Sequence, residues 1–197
     1  MITNQPQWLE SGIDGAGPAQ WYGPDVPDGD RGPWVTAPVG SRYCRRNATS
    51  TRWYEKRKND GRDDDWALTW GEIRQTFLYS EMTDGGSTAG TLVLDEQIPV
   101  GAWVLRTVLR NVTGFTGNTS AVITVGDGTD ADRYSTGTPS VFTTANAIDV
   151  GAVSGTAVHT AAASVTVTIT SATDFTSVAA GQATISIYFL GEARGEG

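Results

Sequence analysis

From about residue 73 onward, apolar and polar side chains alternate in short runs, which is the pattern of half-buried β-strands. The clearest run is 164–170, where Val165, Val167 and Ile169 alternate with threonines. Runs at 119–125 and 183–190 also place three apolar residues on one face, and further strands are predicted at 73–80, 91–94 and 101–112. Turns that contain Gly or Asp separate these runs, and no run has a clear helical period. The pattern predicts an all-β fold, an antiparallel β-sandwich or jelly-roll-like domain.

The longest predicted strand, 101–112, carries apolar residues on both of its faces. Strict alternation places Trp103, Leu105 and Leu109 on one face. The opposite face then carries Val104, Arg106, Val108 and Arg110.

The first 40 residues have a different character, because six prolines and seven glycines interrupt them. Proline fixes φ and removes a hydrogen-bond donor, so we expect an extended, irregular arm. Six of the seven tryptophans lie before residue 75. Disordered segments are poor in aromatic residues, so the arm is expected to dock on its own domain or on a neighbouring subunit.

Between the arm and the strand-rich region, 41–46 and 51–56 are predicted to pair as a β-hairpin around 47–50. Arginines and lysines cluster here beside Asp63, Asp64 and Asp65. Two interpretations stay open: a solvated hairpin with intramolecular charge pairing, or a positive patch that meets an acidic partner surface. The predicted organisation is an arm at 1–40, a hairpin unit at 41–72 and a β-sandwich at 73–197.

Charge is distributed unevenly along the chain of 197 residues, whose formal net charge is −8. Residues 1–75 hold ten basic and eleven acidic side chains, and 76–197 hold four and eleven. An acidic β-domain argues against nucleic acid as the ligand, since phosphate binding needs clustered Lys and Arg. No apolar run reaches the length of a membrane span, and we expect no signal peptide and no membrane partner.

Few residues suggest catalysis, and we expect no cofactor. His159, the single histidine, lies in TAVHTAAA without a nucleophile motif, which favours a surface or half-buried histidine. Cys44, the single cysteine, cannot form an internal disulfide. Arg45 and Arg46 beside it act to lower its pKa, but the absence of a resolving cysteine and of an identifiable base favours a structural or exposed thiol. Asp127, Asp130 and Asp132 are oxygen ligands on one loop and weak candidates for a metal site. Their spacing does not match an EF-hand, and Arg133 can neutralise them, so an ordinary turn is favoured.

Two stretches resemble virion proteins of tailed bacteriophages. The first is QWYGPDVPDGDRGPWVTAPVGSRY with RWYEKRKNDGRDDDWAL, similar to short cassettes of phage fibre and virion proteins. The second is 98–134, IPVGAWVLRTVLRNVTGFTGNTSAVITVGDGTDADRY, similar to a β-sandwich domain of phage head and virion structural proteins. The closing ATISIYFL resembles the last strand of that domain, so the resemblances cover about residues 20–190. The first stretch differs from those cassettes in its middle, which is rich in arginine where the cassettes usually carry other polar residues.

The resemblance implies a non-enzymatic capsid decoration (cement) protein on the phage head, assembled in the host cytoplasm. Its expected partners are the major capsid protein and copies of itself, as a homotrimer. Trp, Tyr and Arg are enriched at interface anchors, which makes the expected interface Trp8, Trp21, Tyr22, Trp34, Arg42, Arg45, Arg46, Arg52 and Trp53. The alternative is a tail-fibre, baseplate or receptor-binding module that contacts a host surface glycan. A polysaccharide hydrolase is least favoured, since no carboxylate pair stands out.

Overall fold

The computed structural model describes residues 7–10, 20–23, 37–60, 65–152 and 158–191. The chain divides into two compact units, a first of Met1–Glu72 with Leu190–Gly197 and a second of Ile73–Phe189. Within the described ranges there is no α-helix, and short 3₁₀ turns lie at Tyr79–Glu81 and Phe175–Ser177. The all-β prediction is confirmed.

The strands of the first unit lie side by side in the order β1-β2-β3-β4-β5. Their bounds are β1 Gln7–Glu10, β2 Gln20–Gly23, β3 Arg42–Arg46, β4 Ser50–Lys56 and β5 Trp66–Leu78, which continues into the second unit. The pairs β1/β2 and β3/β4 are antiparallel, whereas β2/β3 is parallel. A parallel pair needs a long crossover, which the connection from residue 24 to residue 41 supplies.

The expectation that residues 1–40 are irregular throughout is wrong at β1 and β2. These strands occupy the windows QWLE and QWYG, which contain no proline and carry aromatic residues that favour strands. Proline immediately follows β2, at Pro24, where the strand ends. Trp34 and the remainder of the arm lie outside the described residues.

The predicted hairpin of β3 and β4 is confirmed, with Tyr43 opposite Tyr54 and Cys44 opposite Trp53. Its turn is held by Asn47, whose side-chain Oδ1 accepts hydrogen bonds from the backbone N–H of Thr49 at 3.0 Å and Ser50 at 2.6 Å. An Asn side chain that bonds the backbone two or three residues later fixes a tight turn. The turn therefore sets the register that distributes the hairpin's side chains between two faces.

The strands of the second unit belong to two sheets: β5-β12-β8-β10 are consecutive neighbours in the eight-stranded sheet that begins with β1-β2-β3-β4, and β6-β7-β11-β9 form a separate four-stranded sheet. The other strands of this unit are β6 Thr83–Asp84, β7 Ala89–Val93, β8 Ala102–Thr116, β9 Ala121–Gly126, β10 Ala145–Gly151, β11 Thr166–Ser171 and β12 Ala180–Gly191. The pairs β6/β7, β7/β11, β9/β11 and β8/β10 are antiparallel. Eight strands in two sheets are consistent with the predicted β-sandwich.

The core of the second unit is built from the alternating residues of β9, β11 and β12. Ile123, Ile169 and Ile185 are completely buried, as their strand patterns predict. The rings of Phe77 and Phe115 pack within this core with centroids 5.9 Å apart. Burial of each such side chain stabilises the fold by about 1.5–3 kcal/mol.

The predicted face assignment of β8 is wrong. Val104 and Leu109 are buried, whereas Trp103 and Leu105 are exposed. The buried parity of β8 shifts between Val104 and Thr107 and shifts again before Val112. Asn111, with φ of 50°, lies at the second shift. Such irregularities are typical of β-bulges, which strict alternation does not anticipate.

Candidate functional site

The register of the first unit sorts its aromatic residues onto two faces, since cross-strand partners share a face of the sheet. Trp21, Tyr43 and Tyr54 are successive partners across β2, β3 and β4 and share one face. Tyr22, Cys44 and Trp53 are successive partners on the other face. The two faces have different roles.

The first face is the core of this unit. Ala37, Tyr43, Tyr54 and Trp66 form a buried cluster, against which the half-buried Trp21 and Leu68 pack. The Tyr43 ring lies 6.2 Å from the Trp66 ring in an edge-to-face arrangement. Trp21 therefore contributes to the stability of its own unit. Trp8 is opposite Trp21 in the register of β1 and β2.

A buried charge pair closes this core. Lys56 and Asp65 are both completely buried, and the ammonium of Lys56 lies 5.9 Å from the centre of the Trp66 ring. Burial lowers the pKa of Lys56, and the negative charge of Asp65 opposes that shift. Asp65 also accepts the backbone N–H of Asp60 through Oδ1 at 3.1 Å. This charge interaction lies within the unit, as one of the two sequence-based interpretations expected, but it is buried and not solvated.

The second face carries a surface groove of about 200 Å³, lined by Arg42, Trp53, Tyr54, Glu55, Thr69 and Trp70. We call it the Trp53–Trp70 groove. The two indole rings are stacked, with centroids 6.0 Å apart and planes inclined by 22°. Trp70 is 43% exposed. The hydroxyl of Thr69 donates to the backbone carbonyl of Trp53 at 3.0 Å, which ties β5 to β4 beside the rings.

Both signs of charge border the groove. Arg42 on β3 and Glu55 on β4 are direct cross-strand partners, so their side chains lie on the same face of the sheet. A guanidinium offers only donors and a carboxylate only acceptors. The groove therefore presents both kinds of hydrogen-bonding group next to an aromatic surface.

The other arginines of the expected interface lie along the same hairpin. Arg45 is opposite Arg52, and Arg46 is opposite Thr51. Between residues 37 and 60 the chain has seven basic and two acidic residues, a net charge of +5. By the same register, Arg45 and Arg52 share the face of Tyr43 and Tyr54, whereas Arg42 and Arg46 lie on the opposite face, so the hairpin divides the expected arginines between its two faces.

Cys44 is a buried thiol and not an activated one. Burial raises its pKa, and the nearby positive charge of Arg46 opposes that shift only in part. Arg46 acts in the expected direction, but desolvation of the thiolate outweighs its attraction, so Cys44 is the structural thiol that the sequence favoured.

The loop with Asp127, Asp130 and Asp132 is organised as a turn. Oδ1 of Asp127 accepts hydrogen bonds from the backbone N–H of Thr129 at 3.1 Å and Asp130 at 3.0 Å. Its Oδ2 pairs with Nε of Arg133 at 2.6 Å, so the predicted neutralisation by Arg133 is confirmed. Burial raises the pKa of Asp127, but these partners outweigh it and the pKa is lowered. Within the described ranges, no three His, Cys, Asp or Glu residues are grouped to hold a metal ion.

His159 is half-buried, as predicted, and its Nε2 lies 3.1 Å from the hydroxyl of Tyr134. Tyr134 is completely buried. Burial lowers the pKa of His159, the charge of Arg133 lowers it further, and Asp127 opposes both. Burial also raises the pKa of Tyr134. The pair is a structural contact between two ordered segments.

Four residues of the groove were not among the expected interface residues: Tyr54, Glu55, Thr69 and Trp70. Trp70 appears in the sequence only as an apolar residue of a strand, in WALTW. Its position beside Trp53 follows from the pairing of β4 with β5, which no local pattern specifies.

No family model matches this chain, and no curated protein matches it. Among solved structures, a chain of the Cyanophage Pam1 capsid asymmetric unit is similar, with 20% sequence identity and a TM-score of 0.46. The similarity covers 61% of this chain and 84% of that chain. At this sequence identity and TM-score, the structural similarity is weak. In the part of the chain that the structure describes, no helix has the length and apolar character needed to cross a membrane.

Proposed function

We propose that this chain is a non-enzymatic virion structural protein of a tailed phage that decorates the head and stabilises the shell. The observation that carries the proposal is the basic hairpin of the first unit, flanked by aromatic strands. Arg, Trp and Tyr are the residues enriched at the energetic centres of protein interfaces. The sequence resemblance of 20–66 and 98–134 to phage virion proteins supports the same conclusion.

The described chemistry-bearing side chains support a structural role. Asp127 holds a turn and an ion pair, His159 contacts Tyr134, and Cys44 is a buried thiol with a raised pKa. General acid–base or nucleophilic chemistry needs such groups aimed at a substrate. These three are engaged in holding the fold.

The proposed partners are the major capsid protein and further copies of this chain, clustered as a trimer. Residues 37–60, which contain the hairpin, have a net charge of +5, whereas residues 73–189 hold four basic and nine acidic residues, a net charge of −5. Complementary charges favour docking of the hairpin onto an acidic surface, on the shell or on a neighbouring copy. Symmetric clustering would multiply weak contacts into firm attachment.

Reversal of charge on the hairpin tests this proposal. The variant Arg45→Glu with Arg46→Glu is expected to reduce saturable co-sedimentation with bare phage heads by at least about tenfold, because it replaces attraction by repulsion. Added salt should also weaken head binding by the unaltered protein, because it screens the attraction between opposite charges.

The matched control is Arg110→Glu, which reverses one charge on β8 in the second unit. It should leave head binding nearly unchanged. Undiminished binding by the hairpin variant, with folding verified by circular dichroism, would show that the hairpin is not the attachment surface.

A further inference from the structure

The Trp53–Trp70 groove combines an ordered aromatic surface with hydrogen-bonding groups of both kinds. Stacking of Trp53 and Trp70 fixes the orientation of both indoles, while 43% of Trp70 remains exposed. A ligand that packs against a preorganised ring loses less conformational entropy in the complex. The groove is therefore preorganised to pack against a flat apolar surface of a ligand.

The charges around the groove select against an ionic ligand. Arg42 and Glu55 are opposite one another across β3 and β4, so an anion would be repelled by Glu55 and a cation by Arg42. A hydroxyl group can donate to a carboxylate and accept from a guanidinium. An uncharged ligand with many hydroxyl groups satisfies both residues.

The size of the groove restricts the ligand further. Pockets for drug-sized molecules enclose roughly 300–1,000 Å³, and this groove encloses about 200 Å³. It has room for one ring of a longer molecule. A sugar ring has an apolar C–H face for the indole and an equatorial rim of hydroxyl groups for the charged side chains.

We propose that the Trp53–Trp70 groove binds a neutral saccharide, with one ring packed against Trp70 and hydroxyl groups bonded to Arg42 and Glu55. This is a binding activity distinct from attachment to the shell. A glycan on a cell surface is a ligand of this class.

The experiment uses the full chain and a microarray of neutral glycans, followed by calorimetric titration with cellotetraose, maltotetraose and chitotetraose. At least one saccharide is expected to bind. Trp70→Ala should weaken that binding by at least about tenfold. Glu55→Gln, which preserves size, should weaken it several-fold, and it keeps the test valid should Trp70→Ala disturb the strand.

Trp103→Ala is the matched control, because Trp103 in the second unit is 41% exposed, much as Trp70 is. It should bind the saccharide as the unaltered protein does. A silent array, or equal affinity for the unaltered protein, Trp70→Ala and Glu55→Gln, would overturn the proposal. So would loss of head binding by Trp70→Ala without any saccharide bound, which would identify the groove as a protein interface.

Discussion

At the scale of single residues, burial decides what each chemically versatile side chain can do. Cys44 lies beside two arginines, yet desolvation outweighs their attraction and raises its pKa. Lys56 is buried beside Asp65, and its pKa is lowered for the same reason. Both effects depend on packing, which neighbours in the sequence do not reveal.

The contact of His159 with Tyr134 predicts a dependence of stability on pH. The pKa of His159 is lowered in the folded protein, while the unfolded chain has the ordinary value of about 6.5. Below that value the unfolded state binds the proton more readily, so stability should fall as pH decreases below about 6.5 and level off below the depressed folded pKa. Above pH 7 this histidine should not affect how the free energy of unfolding changes with pH.

Urea unfolding between pH 8 and pH 5 tests this prediction. His159→Gln, which cannot titrate, should lose less stability over the interval from pH 7 to pH 5 than the unaltered protein. If the free energy of unfolding falls by the same amount in both proteins between pH 7 and pH 5, the assignment of a lowered pKa to His159 is contradicted.

At the scale of elements, local pattern predicted the strands whose alternation is regular. Ile123, Ile169 and Ile185 lie in such strands and are buried as expected. The alternation of apolar and polar residues did not predict which side chains of β8 are buried, because the buried positions change parity twice along that strand and Trp103 is exposed. It also did not predict β1 and β2, which are short strands between prolines and glycines. The groove was beyond sequence analysis, because Trp70 reaches Trp53 through pairing of strands rather than through spacing along the chain.

The turn of the basic hairpin carries a prediction at this scale. Asn47→Ala removes the acceptor for the backbone N–H groups of Thr49 and Ser50 and should lower the free energy of unfolding by about 0.5–2 kcal/mol. Asn47→Asp keeps a side-chain oxygen in place and should retain most of the stability. Guanidinium denaturation of the three proteins provides the comparison, and equal losses for both variants would show that the acceptor oxygen does not hold the turn.

At the scale of the whole molecule, the chain consists of two β-rich units with different surface chemistry. The hairpin concentrates positive charge and supplies Trp53, one of the two stacked indoles, whereas residues 73–189 surround an apolar core and have a net charge of −5. His159 and Asp127 are engaged in structural contacts, and Cys44 is buried. This division fits a protein whose work is attachment, with one element specialised for contact.

The proposed role is tested most directly by locating the protein in purified virions of the tailed phage that the proposal takes as its source. Quantitative mass spectrometry with immunogold labelling would measure its copy number and its position. Many copies distributed over the head, in a fixed ratio to the major capsid protein, are the predicted result. Its absence from virions, or its confinement to the tail, would contradict a role in decorating the head.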